Sequence, residues 1–293
     1  MIKIIVFYKS KGVRVVAPII RDELRKLGYS SSITYANDLD LIKGTKKDTF
    51  FVFTPHKFMG FKKNGKNNEA KFIAFQQEQF SNKDKIGRWR IKQFKKLIGK
   101  YDYIVDIDPN NIKYLKKMGH KPEFILPTAY HEYFEFKGNR DIKYECLFFG
   151  RYYDKPRRVK ILSELSKQFK FYPKYEDLYD RELQKAILNS KIILNIHQCT
   201  INFSEFLRLS LALSNKKIVI SEPIKHIEPL KEEEHLIFSS VEELPKKIEY
   251  YLNNSKEYNQ IVNNAHKFIK NNFRMDKYIG QFAKEVLEKN NLS

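Results

Sequence analysis

The sequence predicts an α/β protein built from two successive Rossmann-like halves with parallel sheets, and three observations carry that expectation. Short β-rich runs alternate with stretches whose apolar residues recur at helical spacing. The alternation pauses at a polar cluster, Lys137-Gly138-Asn139-Arg140-Asp141, between the apolar runs Phe124-Ile125-Leu126 and Cys146-Leu147-Phe148-Phe149, and then restarts. The length, 293 residues, suits two domains that each bury a core. The boundary is placed at that cluster, giving domains 1–138 and 139–293, with the last helix free to pack back on the first domain. Two such halves are expected to face each other across a central cleft, with ligands at the carboxyl ends of strands.

In the first half, Ile2 to Tyr8 reads as a strand, and Val13 to Leu27 as a helix stopped by Gly28. Ser32 to Tyr35, Phe50 to Phe53, Phe72 to Phe75 and Tyr103 to Val105 are further strands. Lys57 to Glu69, rich in Gly, Lys and Asn, reads as a loop. After the boundary come a strand over Tyr144 to Phe149, a helix from about Arg157 to Phe169, a strand near Phe171 and a helix from about Asp180 to Asn189. The strand Ile192 to Ile196, a helix over Phe203 to Ser214 and strands at Lys217 to Ser221 and Leu236 to Phe238 follow. Helices over Val241 to Leu252, Glu257 to Asn271 and Met275 to Lys289 close the chain.

No run of eighteen apolar residues occurs, and the chain enters a strand at once without a charged leader, so a cytoplasmic protein is expected, at most peripheral to a membrane. The two cysteines, Cys146 and Cys199, are too few for a disulfide framework or a zinc cluster. Lys and Arg number 55 against 35 Asp and Glu, a net charge of +20 that favours anionic partners, although lysine-rich composition alone explains much of it.

Two constellations stand out in the second half. Phe148-Phe149-Gly150-Arg151 ends a strand, and a short loop then leads to Arg157-Arg158 at a helix start. A glycine that admits close backbone approach, a helix N-terminus and guanidinium forks together suit a diphosphate, with Arg151, Arg157 and Arg158 as candidate ligands. The second is Asn195-Ile196-His197, followed by Glu205 and Arg208, three apart and hence on one helix face. Glu205 there can accept from ribose hydroxyls while Arg208 reaches a phosphate; an ordinary intrahelical ion pair is the plain alternative. In the first half Glu78 and His56 follow strands, where a carboxylate or imidazole can take a hydroxyl proton. Asp106-Ile107-Asp108 has a metal-binding spacing, but Asp108 before Pro109 reads better as a helix cap.

Together, Phe148 to Arg151 with Arg157-Arg158, the run Lys191 to His197 and the run Glu205 to Glu222 resemble the CgeB-like, group 1 glycosyltransferases of the GT-B fold. Glu78-Gln79, Tyr103 to Leu115 with Asp106 and Asn111, and Leu126-Pro127 followed by Ala129-Tyr130 agree with that resemblance. It implies an enzyme without a metal or other cofactor, whose C-terminal domain binds a nucleoside-diphosphate sugar with Arg157 or Arg158 and Arg208 on the diphosphate and Glu205 on the ribose; Gly150 and His197, within the same motifs, are further candidate substrate contacts. The N-terminal domain is then the acceptor side. One departure is Leu211, where many members carry Glu. The expected acceptor is a hydroxyl on a glycan, a lipid-linked precursor or a protein. Phage DNA glucosyltransferases share the arrangement of strand end, loop and Arg-bearing helix start, which leaves a hydroxymethylated base in DNA open. A GT-B module that binds without catalysis stays open too. Lys85 to Lys100, with Arg88, Trp89 and Arg90, fits a basic stripe for nucleic acid and equally an amphipathic helix on an anionic membrane surface.

Overall fold

The computed structural model describes residues 1–10, 15–63, 69–176, 178–198 and 205–292. They form two compact units, Met1–Thr128 with Met275–Ser293, and Ala129–Arg274.

The first unit holds β1 (Ile2–Phe7), α1 (Val16–Lys26), β2 (Ser31–Ala36), β3 (Thr49–Phe53), β4 (Lys71–Gln76), α2 (Lys85–Leu97), β5 (Tyr103–Asp106), α3 (Ile112–Lys117) and β6 (Phe124–Ile125). All neighbouring strands are parallel, in the order β2-β1-β3-β4-β5-β6. β3 is buried at every position, which its unbroken run Thr-Phe-Phe-Val-Phe requires of a central parallel strand covered on both faces. The residues 11–14, where the sequence starts α1, lie outside the described residues, as do 64–68 of the expected loop. β6 was not anticipated, since two residues carry no period.

The second unit begins with β7 (Tyr144–Leu147), α4 (Pro156–Leu165), α5 (Asp180–Leu188), β8 (Ser190–Asn195) and α6 (Phe206–Ser214). It continues through β9 (Ile218–Ser221), β10 (Ile237–Phe238), α7 (Leu244–Asn253) and α8 (Ser255–Asn272). Its parallel sheet has the order β10-β9-β8-β7. The strand expected near Phe171 is reduced to a single bridge from Phe171 to Cys146 on the free side of β7. The chain therefore steps to one side of β7 and returns on the other to β8, and the β7/β8 junction is the switch point where open α/β sheets bind ligands. Cys146 is buried in this sheet, which pushes its thiol pKa up and leaves it unreactive; Cys199 lies outside the described residues.

The units divide at Thr128, ahead of the polar cluster read as the boundary. Residues just before that cluster are tied to the second unit: the Tyr130 N–H donates to Phe273 O at 2.9 Å, Asn215 donates to Phe134 O at 2.6 Å, and the Phe136 N–H donates to Asn215 Oδ1 at 2.9 Å. After Arg274 the chain enters α9 (Met275–Phe282) and a π turn, Ala283–Glu288, both in the first unit. Phe282 explains this placement, because its ring stacks on Phe51 of β3 with centroids 5.1 Å apart, and Thr49 Oγ1 donates to Leu292 O at 2.9 Å. Among the described residues no helix is long and apolar enough to cross a membrane.

Candidate functional site

At the β7/β8 switch point the sequence places a glycine where a side chain has no room. Gly150 has φ +139°, and a Cβ there would lie 2.7 Å from Nη2 of Arg208. Arg208 cannot easily retreat. It is buried, its Nε donates to Phe149 O at 3.0 Å, and its Nη1 donates to Asn195 Oδ1 and lies 2.5 Å from Glu205 Oε2. Gly150→Ala is therefore expected to strain the backbone by about 1–3 kcal/mol and to displace this guanidinium. Nucleoside-diphosphate affinity should fall at least tenfold, about 1.4 kcal/mol; calorimetric titration of the variant checks it, and wild-type affinity would contradict the fit.

The first turn of α4 supplies two more guanidiniums. Pro156 occupies the first helical position, and neither a side-chain cap nor an acidic residue offsets the positive end of the helix. Arg157 forms a bidentate pair with Glu222 and donates from Nη1 to His197 O at 2.9 Å. Arg158, 3% exposed, donates from Nε to Ile196 O at 3.0 Å, from Nη1 to Arg151 O at 2.9 Å and from Nη2 to Glu205 Oε1 at 2.9 Å. The Phe148 ring lies 5.1 Å from the guanidinium carbons of both Arg158 and Arg208.

Glu205 thus joins two buried cations. Burial alone would raise its pKa, but Arg208, Arg158 and His197 hold the carboxyl below its ordinary value. Burial pushes Arg208 down to about 10, against the pull of Glu205 and helped by Arg158, so it stays charged at neutral pH. Three guanidiniums, those of Arg157, Arg158 and Arg208, converge with Glu205 and Glu222 beside the helix N-terminus. Guanidinium forks gathered at a helix N-terminus suit an anion. Beside it the His197 N–H donates to Glu222 Oε2 at 2.7 Å, and its Nε2 lies 3.1 Å from Pro223 O, which fixes the proton on Nε2. Nδ1 is buried and has no hydrogen-bond partner among the described residues, and burial lowers the imidazole pKa, so it is available as an acceptor.

Of the residues predicted in this half, Gly150, Arg157, Arg158, His197, Glu205 and Arg208 come together. Arg151 does not: its side chain is 75% exposed and pairs with Asp154 at 3.2 Å, and only its carbonyl takes part. It lies in a turn with no repeating direction, so adjacency to Gly150 did not aim it inward. Two contributors lie within the motifs named above but had no role assigned. Glu222 follows β9, and Asn195 ends β8, accepting from Arg208 and donating to Ser221 Oγ at 2.8 Å. Their position at strand ends was the available signal.

In the first unit Glu78 and His56 also meet. Thr54, a β-branched residue at φ +48°, turns the chain from β3 into the short 3₁₀ segment Pro55–Lys57. His56 Nε2 is then 3.6 Å from Glu78 Oε1, and Arg90 Nη2 is 2.6 Å from Glu78 Oε2. The Glu78 carbonyl accepts from Gln76 Nε2 at 3.0 Å and Asn111 Nδ2 at 2.9 Å, which holds the loop. Glu78 is partly exposed, whereas His56 is buried and its Nδ1 has no hydrogen-bond partner among the described residues. Asp106 is fully buried under Asn111, and Asp108 accepts from the Asn110 N–H at 2.8 Å as a cap. Both carboxylates thus serve the turn, and among the described residues no group of three His, Cys, Asp or Glu is placed to hold a metal.

Burial lowers the His56 pKa to about 4, despite the attraction of Glu78. A histidine whose folded pKa lies below its unfolded value of about 6.5 stabilises the fold fully above pH 6.5 and loses that contribution as pH falls towards 4. The unfolding free energy should drop by up to about 3 kcal/mol across that window, and His56→Gln should flatten the drop. Urea midpoints at pH 7.5 and 4.5 for both proteins measure this; parallel curves would contradict it.

Residues 146–284 match the family described as glycosyl transferase-like. No curated protein sequence matches the chain. Among solved structures, Anabaena HepE in complex with UDP and glucose superposes with a TM-score of 0.69 at 9% identity, covering 98% of this chain and 99% of that one. Sucrose-phosphate synthase from Thermosynechococcus elongatus gives 0.71 at 8% identity over 100% and 99%, and a glycosyltransferase from Rickettsia africae 0.61 at 12% over 98% and 97%. At these identities the likeness is one of fold. Residues 146–284 are thus similar to the glycosyl transferase-like family, and the chain as a whole has the GT-B fold of these structures.

Proposed function

We propose that the protein transfers a sugar from a nucleoside-diphosphate sugar to a hydroxyl group, in the manner of the CgeB-like enzymes its motifs resemble. The observation that carries this reading is the buried Arg158–Glu205–Arg208 cluster, with Arg157 on the first turn of α4, at the strand switch point. The anomeric C–O bond breaks towards the diphosphate, and charge grows on the leaving oxygen as it does so. Guanidiniums already fixed by Glu205, Phe149 O and Ile196 O stabilise that charge without reorganising. The same cations replace a divalent metal on the diphosphate. HepE, of the same fold, was crystallised with UDP-glucose, which supports this class of donor.

Glu205 uses one direction of each oxygen for an arginine and keeps lone pairs for ribose hydroxyls. Leu211 is buried in α6 and serves packing. His197 Nδ1 accepts a hydroxyl of the donor. On the acceptor side Glu78 is the base that takes the hydroxyl proton, because it is the solvent-reachable member of its pair; His56 stays neutral and orients it. The acceptor is a hydroxyl on a glycan, a lipid-linked precursor or a protein. Incubation with UDP- and GDP-sugars in excess EDTA tests the reading. Slow release of a nucleoside diphosphate from one donor is expected. No release from any donor would leave a binding module, and release only on adding Mg²⁺ or Mn²⁺ would return attention to Asp106 and Asp108.

A further inference from the structure

The helix α2 carries a feature that donor chemistry does not use. Its sequence, Lys-Ile-Gly-Arg-Trp-Arg-Ile-Lys-Gln-Phe-Lys-Lys-Leu, contains no acidic residue, and its inner side is fixed in the core by Gly87, Phe94 and Leu97. Lys85, Arg88, Lys92, Lys95 and Lys96 all stand exposed, and spacings of three and four place them on one outward face. Trp89 is 49% exposed on the same face and Ile86, 38% exposed, borders it. Among the described residues Lys85, Lys92, Lys95 and Lys96 form no ion pair, and the N-capping Asp84 is committed to the Gly87 N–H at 2.8 Å. An unneutralised row of cations costs self-repulsion and, at the N-terminal end, opposes the helix dipole.

We infer that α2 docks the first unit on the surface of an anionic phospholipid bilayer. Cations lying in the plane of the headgroups with a tryptophan and an isoleucine dipping between them is how an interfacial amphipathic helix binds. A single-stranded nucleic acid would ask for several stacking aromatics along the track, and this face offers only Trp89. The docking also has a consequence for the proposed reaction, on which this part rests. Arg90, one residue on from Trp89, holds Glu78 at 2.6 Å, and the Trp89 ring lies 6.5 Å from that of His56. The acceptor-side pair is thereby held beside the bilayer surface, and the acceptor class becomes a hydroxyl on a lipid-linked molecule.

Trp89 is the sole tryptophan of the chain, so its emission reports on this face alone. The full chain is mixed with vesicles of phosphatidylglycerol and phosphatidylcholine, or of phosphatidylcholine only, at low and raised salt. A blue shift and co-sedimentation are expected with the anionic vesicles only, weakening as salt rises. Lys92→Glu with Lys96→Glu should lower vesicle affinity by at least about tenfold while melting temperature and nucleoside-diphosphate binding stay as in the wild type. Lys92→Gln with Lys96→Gln gives the same reading at smaller amplitude if the reversal melts early. Absence of both signals with anionic vesicles, or wild-type vesicle binding by the variants, would overturn the docking. So would DNA that binds more tightly and displaces the vesicles. Since the vesicle measurement needs no sugar donor, failure of the glycosyl-transfer reading is seen separately, in the donor assay.

Discussion

Replacing Arg208 by Ala is expected to lower kcat/KM for the sugar donor by about 10³-fold, because it removes a preorganised cation from the place where leaving-group charge develops. The same change takes a partner from Glu205, Asn195 and the Phe149 carbonyl at once. Breaking a buried ion pair costs about 3–5 kcal/mol, and the lower end is expected here because Arg158 still holds Glu205 at 2.9 Å. Arg208→Lys keeps the charge but not the fork that spans Glu205, Asn195 and Phe149 O, so it should recover stability better than activity. Donor-release rates, read with urea unfolding at low temperature, separate the two effects. An alanine variant that is folded and active within tenfold of wild type would refute the role.

Glu78→Gln should leave the donor site untouched and slow transfer instead. Loss of a general base lowers kcat by about 10²- to 10⁴-fold. The amide keeps the size and one acceptor oxygen for Arg90, so stability should change by less than about 1 kcal/mol for this partly exposed pair. Nucleoside-diphosphate affinity is expected to be unchanged. Turnover within a factor of a few of the wild type would move the base elsewhere, with His56→Gln as the comparison that tells whether the imidazole had carried the role.

The features legible in the sequence were those written in one segment at a time. The unbroken apolar run of β3, the Gly150 that ends a β-rich run, and the Arg157 and Arg158 that open a helix all announce themselves locally. So does the three-residue spacing that lets Arg208 meet Glu205. What stayed hidden depends on pairing between distant segments. Asn195 and Ser221 face each other only because β8 and β9 pair in that register, and this same register brings Glu222 to Arg157. The reach of Tyr130 to Phe273, which moves the boundary ahead of the polar cluster, is of that kind. Arg158 illustrates the limit best: its charge and helix position suggested a phosphate ligand, yet three of its hydrogen bonds go to Ile196 O, Arg151 O and Glu205. It is a strut of the site as much as a contact.

The proposed reaction depends on the three arginines at the β7/β8 junction forming a metal-free diphosphate site. Isothermal titration of UDP and GDP into the protein in excess EDTA tests it most directly, with the Arg208→Ala variant measured alongside. One-to-one binding of at least one of them to the wild type, lost in the variant, is the expected result. Absence of binding by either nucleotide, or equal binding by wild type and variant, would contradict it.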